Sequence, residues 1–480
     1  MATQTVQAVD HKLLAAGEWA ETGEWEEVLS PYDGSLVGRV AQGDAALVDR
    51  AVRAAQAAFE RGFPQHERAT VLDRAAELVG ERLDELALTI AAEASKPLKT
   101  AELEASRCVD TLTFSALEAR KLTGTTVPMA GSAAGAGKLG VVLRVPYGVV
   151  GAISPFNFPL NLVAHKLGPA IAAGNAVVLK PAGQTPITAL KLAAILVEAG
   201  LPEGWLSVIP GPGSEVGNAI VEHDLTRAIT FTGSSGVGWG IRSRVPHKKV
   251  SLELGSNAPL IVHADGDWEA AADKAKLHAF SHAGQSCISI QRVLVHEEVA
   301  DAFVERFVAN AESLRVGDPL DPETDVGPLI SPEDRDRVKQ WVDEAVGAGA
   351  ELLTGGEVVD EGRCLAPTIL AASPRESKVW CEEIFGPVAM VDRFRSFDEA
   401  LRMANDSKFG LQAGVFTRDI GHGLAAAAAL EFGGVLINEV PTFRADQMPY
   451  GGVKDSGNTR EGPAYAVLEM TEERLVSLQG

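Results

Sequence analysis

Between Gly148 and Gly255 the hydrophobic pattern repeats one unit several times: a short apolar run, a turn bearing glycine or proline, then a stretch with helical periodicity. The apolar runs are VVGAI from Val149, NAVVLK from Asn175, WLSVIP from Trp205, AITFTG from Ala228 and KVSLELG from Lys249. Such runs, separated by helices, predict a parallel sheet covered on both faces. One intervening helix, TALKLAAILVEAG from Thr188, stops at Gly200, where a C-terminal glycine cap belongs. A second αβ series follows, with IVHAD from Ile261, SIQRVLVHEE, the amphipathic VADAFVERFVANAESL from Val299, GPVAMVDRF from Gly386, AGVFTRD from Ala413 and GGVLINEV from Gly433. Upstream, Asp44 to Glu118 reads as several helices packed on the first sheet, because apolar residues recur at helical spacing in TVLDRAAELVGERLDELALTIAAE. Two stretches fit neither body: KLGVVLRVPYG from Lys138 and the terminal EERLVSLQG. Both read as β ribbon with exposed edges, which subunit association would cover.

Length and composition agree with two or three structural units. The chain has 480 residues, more than a single core serves, and 46% of them are hydrophobic. A formal charge of -22 without a basic stripe argues against nucleic acid as a partner. The four cysteines, Cys108, Cys287, Cys364 and Cys381, form no CxxC pair and have no histidine at metal-ligand spacing, so a reduced, cytoplasmic protein without a metal is expected. The N-terminal segment has no basic region followed by an apolar core, so a secretory signal is not expected. No apolar run approaches a membrane span; Leu424 to Leu430 is far too short.

The candidate chemistry centres on Cys287, in the run GQSC from Gly284, and Glu253, in the run LELGSNAP from Leu252. A thiol after a glycine-bearing turn and a carboxylate at a strand end supply a nucleophile and a base, which points to covalent chemistry on a carbonyl. Two facing sheets would bring them together in the cleft at strand carboxyl ends. The glycines Gly233 and Gly238 in FTGSSGVG do not make a G-x-G-x-x-G fingerprint, and alone they stop at a candidate nucleotide site.

Seven runs in order carry a resemblance over nearly the whole chain: SPFNFP from Ser154, VVLKPAGQTP from Val177, FTGSSGVG from Phe231, ELGSNAP from Glu253, GQSC from Gly284, EEIFGPV from Glu382 and PYGGVKDSG from Pro449. In these the chain resembles the aldehyde dehydrogenase superfamily. The resemblance implies an α/β aldehyde dehydrogenase fold: two doubly wound, Rossmann-like domains with a small β oligomerisation ribbon. Its boundaries would be 1–121 and 143–254 for the cofactor-binding domain, 255–455 for the catalytic domain, and 122–142 and 456–480 for the oligomerisation region. It implies NAD(P)-dependent oxidation of an aldehyde to a carboxylic acid. Cys287 would attack to give a thiohemiacetal and then a thioester, and Asn157 with the Cys287 backbone N–H would hold the oxyanion. Glu253 would activate water; the acyl-CoA-forming branch generally lacks that base, so water is the expected acceptor. Lys166 and Glu461 match positions that pass protons between site and solvent. Residue by residue the bland alternatives are a turn-forming Asn157 and solvated surface charges at Glu253, Lys166 and Glu461.

For the cofactor, the resemblance places Gly233, Ser234 and Gly238 at the pyrophosphate, Glu383 at the nicotinamide ribose and Phe385 at the nicotinamide ring, with Phe156 also a cofactor-binding position. Glu383 and Phe385 also read as a surface charge and a core aromatic. Lys180 matches the adenosine-ribose ligand. Three positions on, many NAD-preferring members carry Glu, where this chain has Gly183. Losing a carboxylate there lowers the electrostatic barrier to a 2′-phosphate, so NADP is expected to be tolerated, with a preference for it left open. Substrate positions by resemblance are Phe158, Ser286, Ile288, Arg107, Phe443 and Arg444. Arginines at a substrate mouth suit carboxylate, sulfonate, phosphate or hydroxyl-bearing aldehydes, unless Arg107 pairs with Glu104 or another acid on its own helix. The loop PTFRADQMPYGG resembles the branch handling lactaldehyde-like and phosphonoacetaldehyde-like substrates. The phosphonate members tend to put a basic residue where Phe158 or Ser286 stands here, which speaks against a phosphonate. A short polar or oxygenated aldehyde is expected, with broad-specificity or aromatic aldehyde oxidation, or a non-redox homologue on the same scaffold, as alternatives. The family also implies a homodimer or homotetramer, joined through Leu139 to Arg144 and Leu475 to Leu478.

Overall fold

The computed structural model describes residues 8–479; residues 1–7, which begin the N-terminal segment considered above, and residue 480 lie outside the described residues. The five strands of the first series form one parallel array in the order Lys249–Glu253, Thr226–Thr232, Val149–Ile153, Ala176–Lys180, Leu206–Val208. Two antiparallel strands, Leu13–Ala15 and Glu18–Ala20, extend it. Three residues each, they are too short for alternation to reveal them. From Val149–Ile153 the chain steps to one side, and it later returns to place Thr226–Thr232 on the other. The strand ends therefore splay into a crevice between these two strands.

The second series also forms a sheet, in the order Glu351–Thr354, Thr368–Ala371, Val388–Phe394, Arg292–His296, Pro259–Val262, Gln412–Phe416, Gly434–Ile437. The sequence pattern missed the first two strands of that order. Helices Ala45–Arg61, Gln65–Glu81, Leu83–Ala94 and Leu98–Lys121 fill the segment read as helical, and their apolar faces join the same core as the first sheet. Lys138–Pro146 and Thr471–Gln479, the two ribbon stretches, pair antiparallel with each other along their whole length, and Thr125–Val127 adds a third strand. Among the described residues no helix is long and apolar enough to cross a membrane.

Helix Asn161–Ala173 is buried at every position, so water cannot satisfy its first N–H groups. Glu104, on helix Leu98–Lys121, accepts hydrogen bonds from the N–H of Leu160 at 2.9 Å and of Asn161 at 3.1 Å. Lys96 pairs with that carboxylate, and both side chains are fully buried. The pair puts negative charge where the helix dipole favours it and gives the charge its counter-ion. Lys96 also lies over the Phe158 ring, 3.7 Å from its centroid, which ties the preceding loop to the same anchor. Replacing Lys96 with Met should leave Glu104 buried without its counter-ion and destabilise the fold by about 3–5 kcal/mol. Urea unfolding of the two proteins checks this, and an unchanged midpoint would contradict it.

Candidate active site

Cys287 sits in the loop that leads into strand Arg292–His296, and the backbone before it is tightly constrained. His282, Ala283 and Gly284 run consecutively through left-handed backbone, at φ 51°, 52° and 68°. At Gly284 a Cβ would lie 2.0 Å from the Gly386 carbonyl oxygen, so glycine is required on both counts. Asn157 donates its side-chain amide to the Gln285 carbonyl at 2.9 Å, which leaves one amide proton beside the cysteine loop. The Cys287 backbone N–H pairs with nothing among the described residues.

Tyr450, whose run was quoted above without a role, places its hydroxyl 2.8 Å from Cys287 Sγ. Burial pushes the Cys287 thiol up to about 12, against the Tyr450 hydrogen bond, which lowers it. The Arg444 guanidinium lies over the Tyr450 ring, 3.8 Å from its centroid, and donates to Glu461 at 2.9 Å. Tyr450 and Glu461 also exchange two backbone hydrogen bonds, so the partner of the thiol and the acid behind it sit on paired segments.

Glu253 ends its strand 4% exposed, and neither carboxylate oxygen has a hydrogen-bond partner. A Cβ at Gly451 would lie 2.6 Å from Glu253 Oε1, so the glycine of PYGG admits the carboxylate. Burial raises the Glu253 carboxyl well above its usual range, and neighbouring Glu461 raises it further. Glu461 goes the other way: burial opposes its charge, but Arg444 and Lys166 outweigh it and hold the carboxyl down. Lys166 Nζ lies 3.6 Å from Glu461 and donates to Thr232 Oγ1 at 2.6 Å; burial lowers its pKa. Glu253, Lys166 and Glu461 are thus interior groups, which overturns the solvated-surface alternative for all three.

A cavity of about 60 Å³ adjoins Cys287, lined by Phe158, Ser286, Ile288, Arg107 and Arg444, and also by Asn161, Leu162, Thr442 and Tyr450. Phe443 is the expected residue the structure leaves out: its side chain is 46% exposed and does not line the cavity, because the turn directs its neighbours Thr442 and Arg444 inward. Arg107 does not pair with Glu104. It forms two hydrogen bonds of 2.9 Å with Asp446, which also accepts from Asn161 and meets His165 at 2.9 Å. Burial works against the Asp446 charge, but its bonds with His165 and Arg107 hold the carboxyl well below the usual range. The missed residues Asn161 and His165 left one signal: they are polar positions inside the apolar helical run NLVAHKLGPAIAA.

Lys180 faces a second cavity of about 330 Å³ in the crevice at the end of the first sheet, with Gly213, Ser214, Gly217, Phe231 and Arg244 in its wall. Ser234 is the N-cap of helix Ser235–Arg244 and makes no capping bond with its side chain. Gly233 and Gly238 are packing glycines: a Cβ would lie 2.7 Å from the Phe231 ring and 2.5 Å from Leu254 respectively. Glu383 accepts from the Ser256 N–H at 3.0 Å and lies where a Gly255 Cβ would be; burial raises its carboxyl to about 7. Phe385, at φ 52°, meets Phe156 edge to face at 5.8 Å. Gly183 borders an adjoining groove with Gln184 and Pro212, and a Cβ there would meet nothing within 4 Å. The glycine floor, the uncapped Ser234 and the lysine fit a dinucleotide laid across this crevice.

The chain belongs to the aldehyde dehydrogenase family, whose pattern it matches over residues 19–476. It is 44% identical over 476 residues to a 3-sulfolactaldehyde dehydrogenase of Priestia aryabhattai, covering 99% of each chain. Among solved structures it is similar to aldehyde dehydrogenase 21 of Physcomitrella patens in complex with the reaction product succinate, with 37% identity, 99% of each chain covered and a TM-score of 0.95. It is also similar to the glyceraldehyde-3-phosphate dehydrogenase GapN of Methanocaldococcus jannaschii complexed with NADP, with 38% identity, a TM-score of 0.91, and 96% of this chain and 100% of that one covered. The protein is therefore an NAD(P)-dependent aldehyde dehydrogenase, and a non-redox homologue is set aside.

Tyr450→Phe removes the sulfur's hydrogen bond and keeps the ring. A hydrogen bond to a charged partner is worth about 1.5–3 kcal/mol, so iodoacetamide alkylation of Cys287 at fixed pH should slow about ten- to hundredfold. The rise of that rate with pH should shift upward, because the thiolate forms later. An unchanged rate and pH profile would contradict the assignment.

Proposed function

We propose that this enzyme oxidises a short aldehyde whose far end carries an anionic or oxygenated group, with Cys287 as nucleophile and water as final acceptor. The observation that carries the substrate reading is Arg444, which lines the Cys287 cavity with its side chain 6% exposed and its Nε without a partner. Arg107 faces the same cavity, and its Nη1 hydrogen-bonds to nothing among the described residues. A buried guanidinium donor left unpaired is costly until an acceptor fills it. The cavity's 60 Å³ is well under the roughly 150 Å³ of an apolar cavity that admits benzene, which suits a short chain better than an aromatic ring. The sulfolactaldehyde and succinate in the names of two relatives are short and anionic, which supports the same class.

The Cys287 thiol loses its proton to solvent, the thiolate sulfur attacks the carbonyl carbon, a C–S bond forms, and the oxygen takes the π electrons. The spare Asn157 amide proton and the Cys287 N–H receive that oxyanion. Its collapse restores the C=O bond, expels a hydride and leaves a thioester. The nicotinamide cofactor, when bound, supplies the two-electron hydride acceptor. Lys180 and Ser234 would hold its adenosine and pyrophosphate ends, and Glu383 and Phe385 its nicotinamide end. Water then gives a proton to Glu253 and attacks the thioester; the C–S bond breaks and the acid leaves. A carboxylate whose pKa is raised is a stronger base than an ordinary glutamate. Lys166 and Glu461 pass the proton on. The open space at Gly183 and the Arg244 wall near Lys180 support acceptance of a 2′-phosphate. The exposed Leu139, Leu143, Leu475 and Leu478 of the ribbon support a homodimer or homotetramer joined there.

Steady-state rates of NAD(P)H formation test the reading. Three- and four-carbon aldehydes bearing a sulfonate or carboxylate should exceed propanal and benzaldehyde in kcat/KM by at least about tenfold, roughly 1.4 kcal/mol. A preference for benzaldehyde would sink the substrate class. A kcat/KM for NAD more than roughly a hundredfold above that for NADP, about 2.7 kcal/mol, would sink the cofactor reading alone.

A further inference from the structure

The catalytic half has a topological switch point of its own, and the active site does not use it. From Pro259–Val262 the chain passes to Arg292–His296 on one side, and it later returns to lay Gln412–Phe416 on the other. At such a reversal the connections diverge and open a crevice at the strand carboxyl ends, where open α/β sheets bind ligands. Cys287 precedes its strand and so lies at the opposite, amino edge of this sheet.

Three metal-binding side chains converge at the carboxyl edge. His263 and Asp265 follow the first of the two strands, and the N–H of His263 bonds to the carbonyl of Phe416 at the end of the second. His422 enters from the first turn of helix Ile420–Ala429. One donor atom from each of the three lies within 4.8 Å of the other two. His422 Nδ1 is buried and has no hydrogen-bond partner, although an imidazole nitrogen removed from water normally finds one. Its ring stacks on Phe397 at 4.3 Å and meets His263 edge on at 4.5 Å, which fixes its orientation. Asp265 also accepts from Thr417 Oγ1 and from the Arg418 N–H, so the carboxylate is held in place by two outer bonds. His296 packs against His263 but is occupied, since its Nδ1 accepts from the Glu298 N–H.

We infer that His263, Asp265 and His422 form a binding site for a borderline divalent cation of the Zn²⁺ or Co²⁺ kind, with solvent at the remaining position. Two imidazoles and one carboxylate are the donor set such ions select, whereas Mg²⁺ and Ca²⁺ prefer oxygen alone. His263 Nδ1 and Asp265 Oδ1 now share a hydrogen bond of 2.7 Å. Two ligands of one zinc ion, each about 2.0–2.1 Å from it, stand about 3.3 Å apart, so a cation that takes both atoms opens that pair by a few tenths of an ångström. The third ligand can follow. Helix Ile420–Ala429 buries only Gly423 and Ala426, and Ile420 and Leu424 are 81% and 66% exposed. A cation here ties that helix to the strand ends. The histidines stand on opposite sides of the switch, far apart in the chain, which is why ligand spacing along the sequence did not show them.

The test is Co²⁺ titration of the chelator-treated full-length enzyme carrying Cys287→Ala and Cys381→Ala, which removes the thiol beside the cavity and the exposed one. The expected result is one equivalent bound, with the visible absorption of four- or five-coordinate cobalt, no thiolate charge-transfer band, and displacement by Zn²⁺. In the same background His422→Ala should weaken binding by more than about tenfold and remove the rise in Tm that Zn²⁺ produces. His422→Gln keeps the volume of the side chain and should do the same, which guards against a folding defect. With Cys287 intact, His422→Ala should keep its aldehyde oxidation rate, since the site lies across the sheet. Wild-type affinity and spectrum in either His422 variant, a thiolate band, or no cobalt bound at one equivalent would overturn the assignment.

Discussion

The constraint on which the rest of the site depends is a helix with no access to water. Every residue of Asn161–Ala173 is buried, so its amino end must be satisfied from inside the protein, and Glu104 does this with Lys96 as counter-ion. Once fixed, the helix presents Asn161, His165 and Lys166 toward the segment Arg444 to Glu461 of the other half. Asn161 and His165 hold Asp446, which holds Arg107; Lys166 meets Glu461, which holds Arg444. The loop just before the helix carries Asn157 and Phe158. The proposed substrate wall, oxyanion donor and proton path are thus referred to one rigid element.

That arrangement separates two carboxyl groups of the same type. Glu461 lies between two cations, which lower its pKa; Glu253 has no hydrogen-bond partner, and burial and the charge of Glu461 beside it raise its pKa. Environments that push two acids apart in pKa divide labour between them. Burial likewise raises the Cys287 thiol, with Tyr450 as the opposing hydrogen bond.

The fold was largely legible from the sequence because its determinants are local. Aliphatic runs of five or so residues between helical stretches announce a parallel sheet, and all five strands of the first array lie where the pattern put them. Leu13–Ala15, Glu18–Ala20 and Glu351–Thr354 escaped because strands this short have no periodicity to read. Beyond Cys287 and Glu253, the site was legible only through motif resemblance. Asp446, Tyr450 and His165 act through partners distant in the chain, and spacing carries no trace of such contacts. Arg107 shows the same limit: a helix neighbour, Glu104, was the visible partner, yet that acid is already spent on Lys96 and on the helix end. The ribbons were recognised as unpaired edges, while their mutual pairing needed the structure.

The central claim is that the acyl group passes through Cys287 and leaves by water activated at Glu253. Rapid-mixing of Glu253→Gln with cofactor and a short aldehyde, followed by intact-protein mass measurement, tests it most directly. The account predicts a burst of about one equivalent of reduced cofactor, then near-arrest, with a persistent acyl adduct on Cys287. Steady turnover at the wild-type rate, with no adduct, would contradict it.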